Sequence, residues 1–406
     1  MQTEKLYYND AYIKEFDARV LNCVSAGRCF HIELDRTAFY PEGGGQPADQ
    51  GIFITGGAEE RVFDVHEKDG SILHYCDTYI EPGTAVHGVI DWERRLDHMQ
   101  QHSGEHIVSG FICRSFSCSN VGFHMGDETV TIDFDADFSW EEAERIEETA
   151  NRYIREDHPV GIYTLRDGRL LEAEADADQE LRQELLNYRS KKEIPGDIRL
   201  TAFRGADVCA CCGTHVQRSG EIGLVKLISM QKFHNGVRLE LVCGKRAFDY
   251  LKKNAEQNQA VGKMLSAKYD CTADVVSKLK NDIAELKLGM AKLESRYFEL
   301  LADKYRGAKD VLVICEAMSP DSTRRLCVTL SEVSDGLTAV FAGEDGKYNY
   351  AISESSGCDA GAFSAFIRSM NSGLNGRGGG RGSFAQGSVM SSEKEINSFF
   401  AAVQFA

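Results

Sequence analysis

No apolar run in the 406 residues is long enough to cross a bilayer, and Met1-Gln2-Thr3-Glu4-Lys5 has no basic stretch leading into an apolar one. The first absence excludes a membrane-spanning helix and the second argues against a secretory signal, so a soluble, cytoplasmic protein with no membrane partner is expected. Basic charge is also scarce. With 46 Lys and Arg against 63 Asp and Glu, the formal net charge is −17 and the pI is near 5.2. A chain of that charge does not attract polyanions as a whole, so any phosphate-rich partner needs local basic patches. Thirteen cysteines, an odd number scattered along the chain, do not read as a disulfide framework. They fit reduced thiols in a reducing compartment, most of them small core residues. No Ser/His/Asp arrangement supports a covalent hydrolytic route.

What is present is two pairs of metal-binding side chains at matched spacing. His102 and His106 in His-Ser-Gly-Glu-His lie on a run, Met99 to Ile112, that reads as a helix. An i, i+4 pair there projects from one face and can grip one ion. A lone pair of this kind is more often a surface or core feature than a ligand set. The second pair changes the balance. Cys211 and His215 in Cys-Cys-Gly-Thr-His repeat the four-residue offset on a Gly-containing turn, with Cys209 and Cys212 competing for the thiolate role. Spacing favours Cys211. Three imidazoles and one thiolate suit tetrahedral zinc, with metal–donor distances of about 2.0 to 2.3 Å. One Zn2+ per chain is expected.

The length allows two to four domains. Residues 1–90 show short alternating segments, such as Ala18 to Val24, Cys29 to Leu34 and Gly51 to Ile54, the pattern of a small antiparallel β-barrel. Gly43, Gly44 and Gly45 can form either an ordinary hairpin tip or a loop whose free N–H groups meet a phosphate or ribose oxygen. Residues 91–250 read as an α+β domain of helices on an antiparallel sheet, with Ser139 capping a helix from Trp140. Residues 251–305 carry Val276, Leu279, Ile283, Leu286, Met290, Leu293, Tyr297 and Leu300 at alternating steps of three and four, a coiled-coil seam. The seam pairs either with the preceding helical stretch or with another chain, as a homodimer through the C-terminal region. Residues 306–406 form an α/β module with a run of Gly and Arg, Gly376-Arg377-Gly378-Gly379-Gly380-Arg381, read as a loop before a closing helix, Ser391 to Phe400.

His-Ser-Gly-Glu-His, Cys-Cys-Gly-Thr-His-Val and the upstream Thr37-Ala38-Phe39-Tyr40-Pro41-Glu42-Gly43-Gly44-Gly45-Gln46 together resemble the signature segments of the alanyl-tRNA synthetase editing domain and its freestanding AlaX relatives. Ser219 to Gly223 and Gly236 to Glu240 extend the resemblance, which runs in order through residues 1–250. The Gly and Arg run resembles the glycine-rich loop of the DHHA1 domain that ends long AlaX proteins, although Gly382-Ser383 stands where the family often has Pro-Asp.

The resemblance implies a long-form trans-editing hydrolase. Such a protein cleaves the ester of a wrong amino acid, serine or alternatively glycine, from alanine-specific tRNA at a zinc site. Thr37, Phe39, Gly43, Gly44, Gly45 and Gln46 would contact substrate, with the Thr37 hydroxyl near the amino-acid side chain. Arg238, Gly376, Arg377, Gly378, Gly379, Gly380 and Arg381 would contact tRNA. Further basic candidates are Arg189, Lys191, Lys192, Arg199 to Arg204, Lys226 and Lys232. The metal is either catalytic or a positioning element, because four protein ligands close a shell that a catalytic site usually leaves open. Glu105 does not occupy the place of the base in His-Glu-x-x-His and is expected to face solvent. The alternatives are a non-enzymatic tRNA-binding protein with a structural zinc, and a peptidase or nuclease on the same ligands. The sequence has no Walker loop and no upstream adenylation domain, which argues against a complete synthetase.

Overall fold

The structure, a computed structural model, describes residues 3–166, 169–170, 178–190, 196–344, 346–355, 357 and 359–402. The chain divides into two compact units, Met1–Gln259 and Ala260–Ala406.

After a two-residue strand Glu4–Lys5, paired with Arg36–Thr37, and a helical turn Leu6–Asn9, the first unit has strands β1 (Glu15–Ala26), β2 (Cys29–Leu34), β3 (Gly51–Thr55), β4 (Ala58–Lys68), β5 (Ser71–Cys76) and β6 (Ala85–Ile90). They close into the expected antiparallel barrel, in the order β1-β2-β5-β4-β3-β6. Its inward positions follow the period of two. Ile72, His74 and Cys76 alternate inward along β5, and Phe16, Ala18 and Val20 along β1, joining Ile32, Phe39 and Phe53 in one core.

Directly after β6, Asp91 accepts a hydrogen bond from Arg94 N and caps helix α1 (Trp92–Phe116), which is longer at both ends than the sequence run implied. Strands β7 (Asn120–Met125) and β8 (Val130–Phe134) and helix α2 (Trp140–Glu156) follow. Ser139 caps α2 through a reciprocal pair with Glu142. Next come β9 (Val160–Arg166), β10 (Arg169–Leu170), α3 (Gln179–Leu186), β11 (Ile198–Phe203), β12 (Asp207–Ala210), β13 (Val225–Phe233) and β14 (Gly236–Cys243). Two four-stranded antiparallel sheets result, β13-β14-β8-β7 and β10-β9-β11-β12. The middle of α1, from Gln101 to Gly110, is buried throughout.

Helix α4 (Gly244–Leu265) contains the division between the units. In the second unit, α5 (Thr272–Lys304) precedes β15 (Lys309–Cys315), α6 (Pro320–Ser331), β16 (Asp335–Glu344), β17 (Lys347–Glu354), α7 (Ala360–Gly373), β18 (Gly376–Arg381), β19 (Phe384–Val389) and α8 (Glu393–Ala402). The sheet order is β15-β16-β17-β19-β18, parallel only between β15 and β16. The run of Gly and Arg expected as a loop is the edge strand β18. Pairing with β19 is so close that a Cβ at Gly380 would collide with Phe384 O, which explains glycine there. The apolar stripe of α5 is uncovered, from 41 % exposed at Val276 to 72 % at Leu300, whereas Phe298 and Ala302 on another face are buried.

Candidate metal centre

Helix α1 brings His102 and His106 to one face, and the turn leaving β12 brings Cys211 and His215 to meet them. Their ligand atoms all lie within 4.8 Å of one another, so the four form a group that could hold a metal ion. The Cys211 sulfur lies 3.5 Å from His102 Nε2 and 3.3 Å from His215 Nε2, and it accepts from Gly213 N at 3.4 Å. Cys212 is exposed, and Cys209 is buried on β12 with its thiol donating to Ala210 O. Arg199 clasps the turn through Cys211 O (2.9 Å) and Gly213 O (3.2 Å). A side chain at Gly213 would strike the His102 ring, so the turn needs glycine to close on the helix.

Each imidazole is held from behind. His102 Nδ1 meets Gln46 Oε1 at 2.9 Å, His106 Nδ1 meets Asp207 Oδ2 at 2.8 Å, and His215 Nδ1 meets Ser103 Oγ at 3.4 Å. Carbonyl and carboxylate oxygens can only accept, so His102 and His106 carry their proton on Nδ1 and turn Nε2 toward the sulfur. His106 Nε2 is buried without a hydrogen-bond partner. An orphaned buried nitrogen costs about 1–3 kcal/mol unless something coordinates it, which fits a metal in this donor set. Burial alone would push the Cys211 thiol up, but the imidazoles of His102 and His215 hold it well below its ordinary value. Burial pushes His215 down to about 3, against the Cys211 sulfur, which raises it.

The Gly-rich segment docks here. Met125 N donates to Gly45 O at 3.2 Å, and a Cβ at Gly45 would sit 2.5 Å from Phe123 Cδ1. The Phe123 ring in turn stacks on His102, centroids 5.1 Å apart and 18° from parallel. Gly44, at φ +60, has nothing within 4 Å of a Cβ, so it borders open space. Gln46 is fully buried, with Nε2 donating to Thr214 Oγ1 at 2.8 Å. Thr37 is also fully buried; its Oγ1 accepts from Phe39 N (3.1 Å) and lies 2.8 Å from His74 Nε2. Phe39 belongs to the barrel core.

A second expectation is overturned. Glu105 does not face solvent: it is 2 % exposed and accepts from Ser109 Oγ (2.7 Å) and Asn120 Nδ2 (2.6 Å). The reason is that α1 is covered on every side at this point, so no turn of it presents a solvent face. Sequence reading also missed Asp207, Ser103 and Phe123. Ser103 lay inside the His-Ser-Gly-Glu-His motif, but Asp207 and Phe123 carried no spacing signal.

Most of the basic candidates of the first unit are already paired. Arg238 binds Asp133 at 2.6 and 2.8 Å and lies over Phe233, Arg189 binds Asp207, Lys226 binds Glu147 and Lys232 binds Asp137. Lys191 and Lys192 lie outside the described residues. Arg377 and Arg381 are exposed on β18.

Residues 2–94 match the family described as tRNA synthetases class II (A), and residues 196–240 match the threonyl and alanyl tRNA synthetase second additional domain. The alanyl-tRNA editing protein Aarsd1 of Danio rerio is 30 % identical over 315 residues, covering 74 % of this chain and 73 % of that one. The chain belongs to the alanyl-tRNA editing proteins. Another relative, the alanyl-tRNA editing protein AlaX-L of Pyrococcus horikoshii, is 33 % identical over 60 % of this chain and 59 % of its own length. An alanine–tRNA ligase of Ignicoccus hospitalis is 32 % identical over 97 % of this chain, which spans only 42 % of that ligase. Among the described residues of this editing-family chain, no helix is long and apolar enough to cross a membrane.

Proposed function

We propose that the chain hydrolyses the ester of mischarged alanine tRNA, with serine as the preferred wrong amino acid and glycine as the alternative, at a zinc site formed by His102, His106, Cys211 and His215. The observation that carries this reading is the convergence of three imidazoles and one sulfur, with ligand atoms within 4.8 Å of one another and the buried His106 Nε2 orphaned, beside a docked Gly-rich segment. The names of the relatives supply the reaction class. Zinc, when bound, supplies a Lewis-acidic positive charge beside the ester.

The chain's own residues do the rest. Gln46 and Phe123 hold His102 in place, and Gly44 leaves backbone room for the terminal nucleotide or the developing oxyanion. Thr37 is the residue we assign to side-chain selection. His74 donates Nδ1–H to Ile32 O at 2.9 Å, so its Nε2 accepts the Thr37 proton. Thr37 therefore keeps one lone pair, able to accept from a serine hydroxyl that alanine lacks. In the second unit, Arg377 and Arg381 offer exposed cations for tRNA phosphates.

The test offers the purified protein alanine tRNA charged with serine, glycine or alanine and follows ester loss. Seryl ester should disappear fastest and alanyl ester should persist. Equal rates on all three, or no loss from any, would remove the reading. Thr37→Val, which keeps the shape and removes the acceptor, should lower the seryl-over-alanyl ratio.

A further inference from the structure

The three imidazoles of the centre are backed by different groups: a neutral amide behind His102, a hydroxyl at 3.4 Å behind His215 and a carboxylate at 2.8 Å behind His106. That carboxylate is the most elaborately held. Asp207 is 5 % exposed, and Arg189 grips it through Nε to Oδ1 at 3.1 Å and Nη2 to Oδ2 at 2.8 Å. The approach is built into the helix as well. Gly110 lies four residues after His106 on α1, and a Cβ there would sit 2.6 Å from Asp207 Cβ and strike Ala206 O, so β12 reaches the helix only because residue 110 is glycine. Asp207, His106 and Cys209 also form a second group of potential ligands. Both Asp207 oxygens are already taken by His106 and Arg189, so that group reads as the backing of the first site and not as a site of its own.

We propose that Asp207 is the principal positioning residue of the metal centre: it fixes His106 in the Nδ1–H tautomer, sets the plane of the ring, and makes His106 the strongest neutral donor of the set, with Arg189 holding the carboxylate in register. The inference rests on the reading that the four-residue group takes a metal. A hydrogen bond to a carboxylate raises ligand basicity more than one to an amide or hydroxyl, and loss of such a partner lowers metal affinity by about 10- to 100-fold. The backing groups therefore rank Asp207 over Gln46 over Ser103.

The experiment measures zinc affinity of the full chain by competition with a chromophoric chelator, and the visible spectrum of the Co2+ form, for the wild type, Asp207→Asn, Asp207→Ala and Ser103→Ala. Asp207→Asn keeps an oxygen for Nδ1–H and for Arg189 Nη2, while losing the charge and turning its amide NH2 toward Arg189 Nε; it should bind zinc about 10-fold more weakly with a shifted Co2+ spectrum. Asp207→Ala should lose about 100-fold, and Ser103→Ala less than either. Far-ultraviolet circular dichroism of each metal-free protein separates these effects from misfolding. If Asp207→Ala fails to fold, Asp207→Asn carries the test. Wild-type affinity and an unshifted Co2+ spectrum in Asp207→Asn would overturn the role of Asp207 and leave the metal centre standing. A wild type that takes up neither Zn2+ nor Co2+ would remove the centre itself, and the role with it.

Discussion

Asp49 and Arg95 are both 0 % exposed. Arg95 on α1 donates through Nε to both Asp49 oxygens at 3.0 Å, through Nη1 to Ala11 O at 2.7 Å and through Nη2 to Ala38 O at 2.6 Å, while Asp49 Oδ2 accepts from Tyr40 N at 2.6 Å. One guanidinium thus ties the helix that carries His102 and His106 to the segment that carries Thr37 and the glycines. Asp49→Ala leaves that charge buried and unanswered, which costs about 3–5 kcal/mol, and it orphans Tyr40 N besides. We expect a loss of about 4 kcal/mol or more, a large share of the 5–15 kcal/mol that typically holds a domain. Arg95→Met with Asp49→Leu removes both charges but still leaves Ala11 O and Ala38 O without their donor, so it should recover only part of the loss. The chain's two tryptophans, Trp92 and Trp140, both lie in Met1–Gln259, so urea unfolding followed by tryptophan fluorescence reads this unit alone. A loss below about 1 kcal/mol for Asp49→Ala would refute the reasoning, since a buried unpaired charge cannot be that cheap.

Acid should weaken the barrel through His74, which is fully buried and pushed down by burial to about 4 from an ordinary 6.5. Between those values the unfolded chain binds more protons, so stability is full above about pH 6.5 and falls toward pH 4, by about 3 kcal/mol for this group. His74→Gln should flatten that part of the urea-stability profile, and unchanged slopes would count against it. Gly45→Ala meets both a φ of +85 and the Phe123 ring, whereas Gly44→Ala meets only a φ of +60. The first should cost about 1–3 kcal/mol and the second less, and the reverse order in urea titrations would show that the segment does not dock on β7 as described.

The meeting of the four candidate residues was legible because a four-residue offset on a helix puts His102 and His106 on one face, and because imidazole beside thiolate on a Gly-containing turn has few other uses. The barrel was legible from alternation, since strands with one wet face must alternate. What lay beyond the sequence was everything set by tertiary approach. Nothing local says that Gln46, read as a substrate contact, turns inward to His102, or that Asp207 from a distant strand backs His106. Glu105 was misjudged because it does not fill the place of the base in His-Glu-x-x-His and so was given no role inside, yet the helix is wrapped on all sides and the carboxylate is satisfied by Ser109 and Asn120. The Gly and Arg run looked like a loop by composition, but the pairing that makes it a strand depends on a partner segment with matching small residues. The α5 stripe was visible as a periodicity, while its exposure could be read only from packing.

The separation of the two ligand pairs has a consequence for synthesis. His102 and Cys211 are 109 residues apart in the chain. At about 5–20 residues per second, the helix with its two histidines leaves the translating ribosome roughly 5–20 s before the turn that completes the set. If the four residues take a metal as proposed, a nascent chain carries during that interval only the two histidines of the set, and Gln46 still lacks the Thr214 hydroxyl that anchors it in the finished fold. Any ion met then would be held by two nitrogens at most, and the full donor set forms only when the thiolate arrives. The proposed site would therefore be completed late in synthesis, by the turn after β12, with β13 and β14 of the same unit still to emerge.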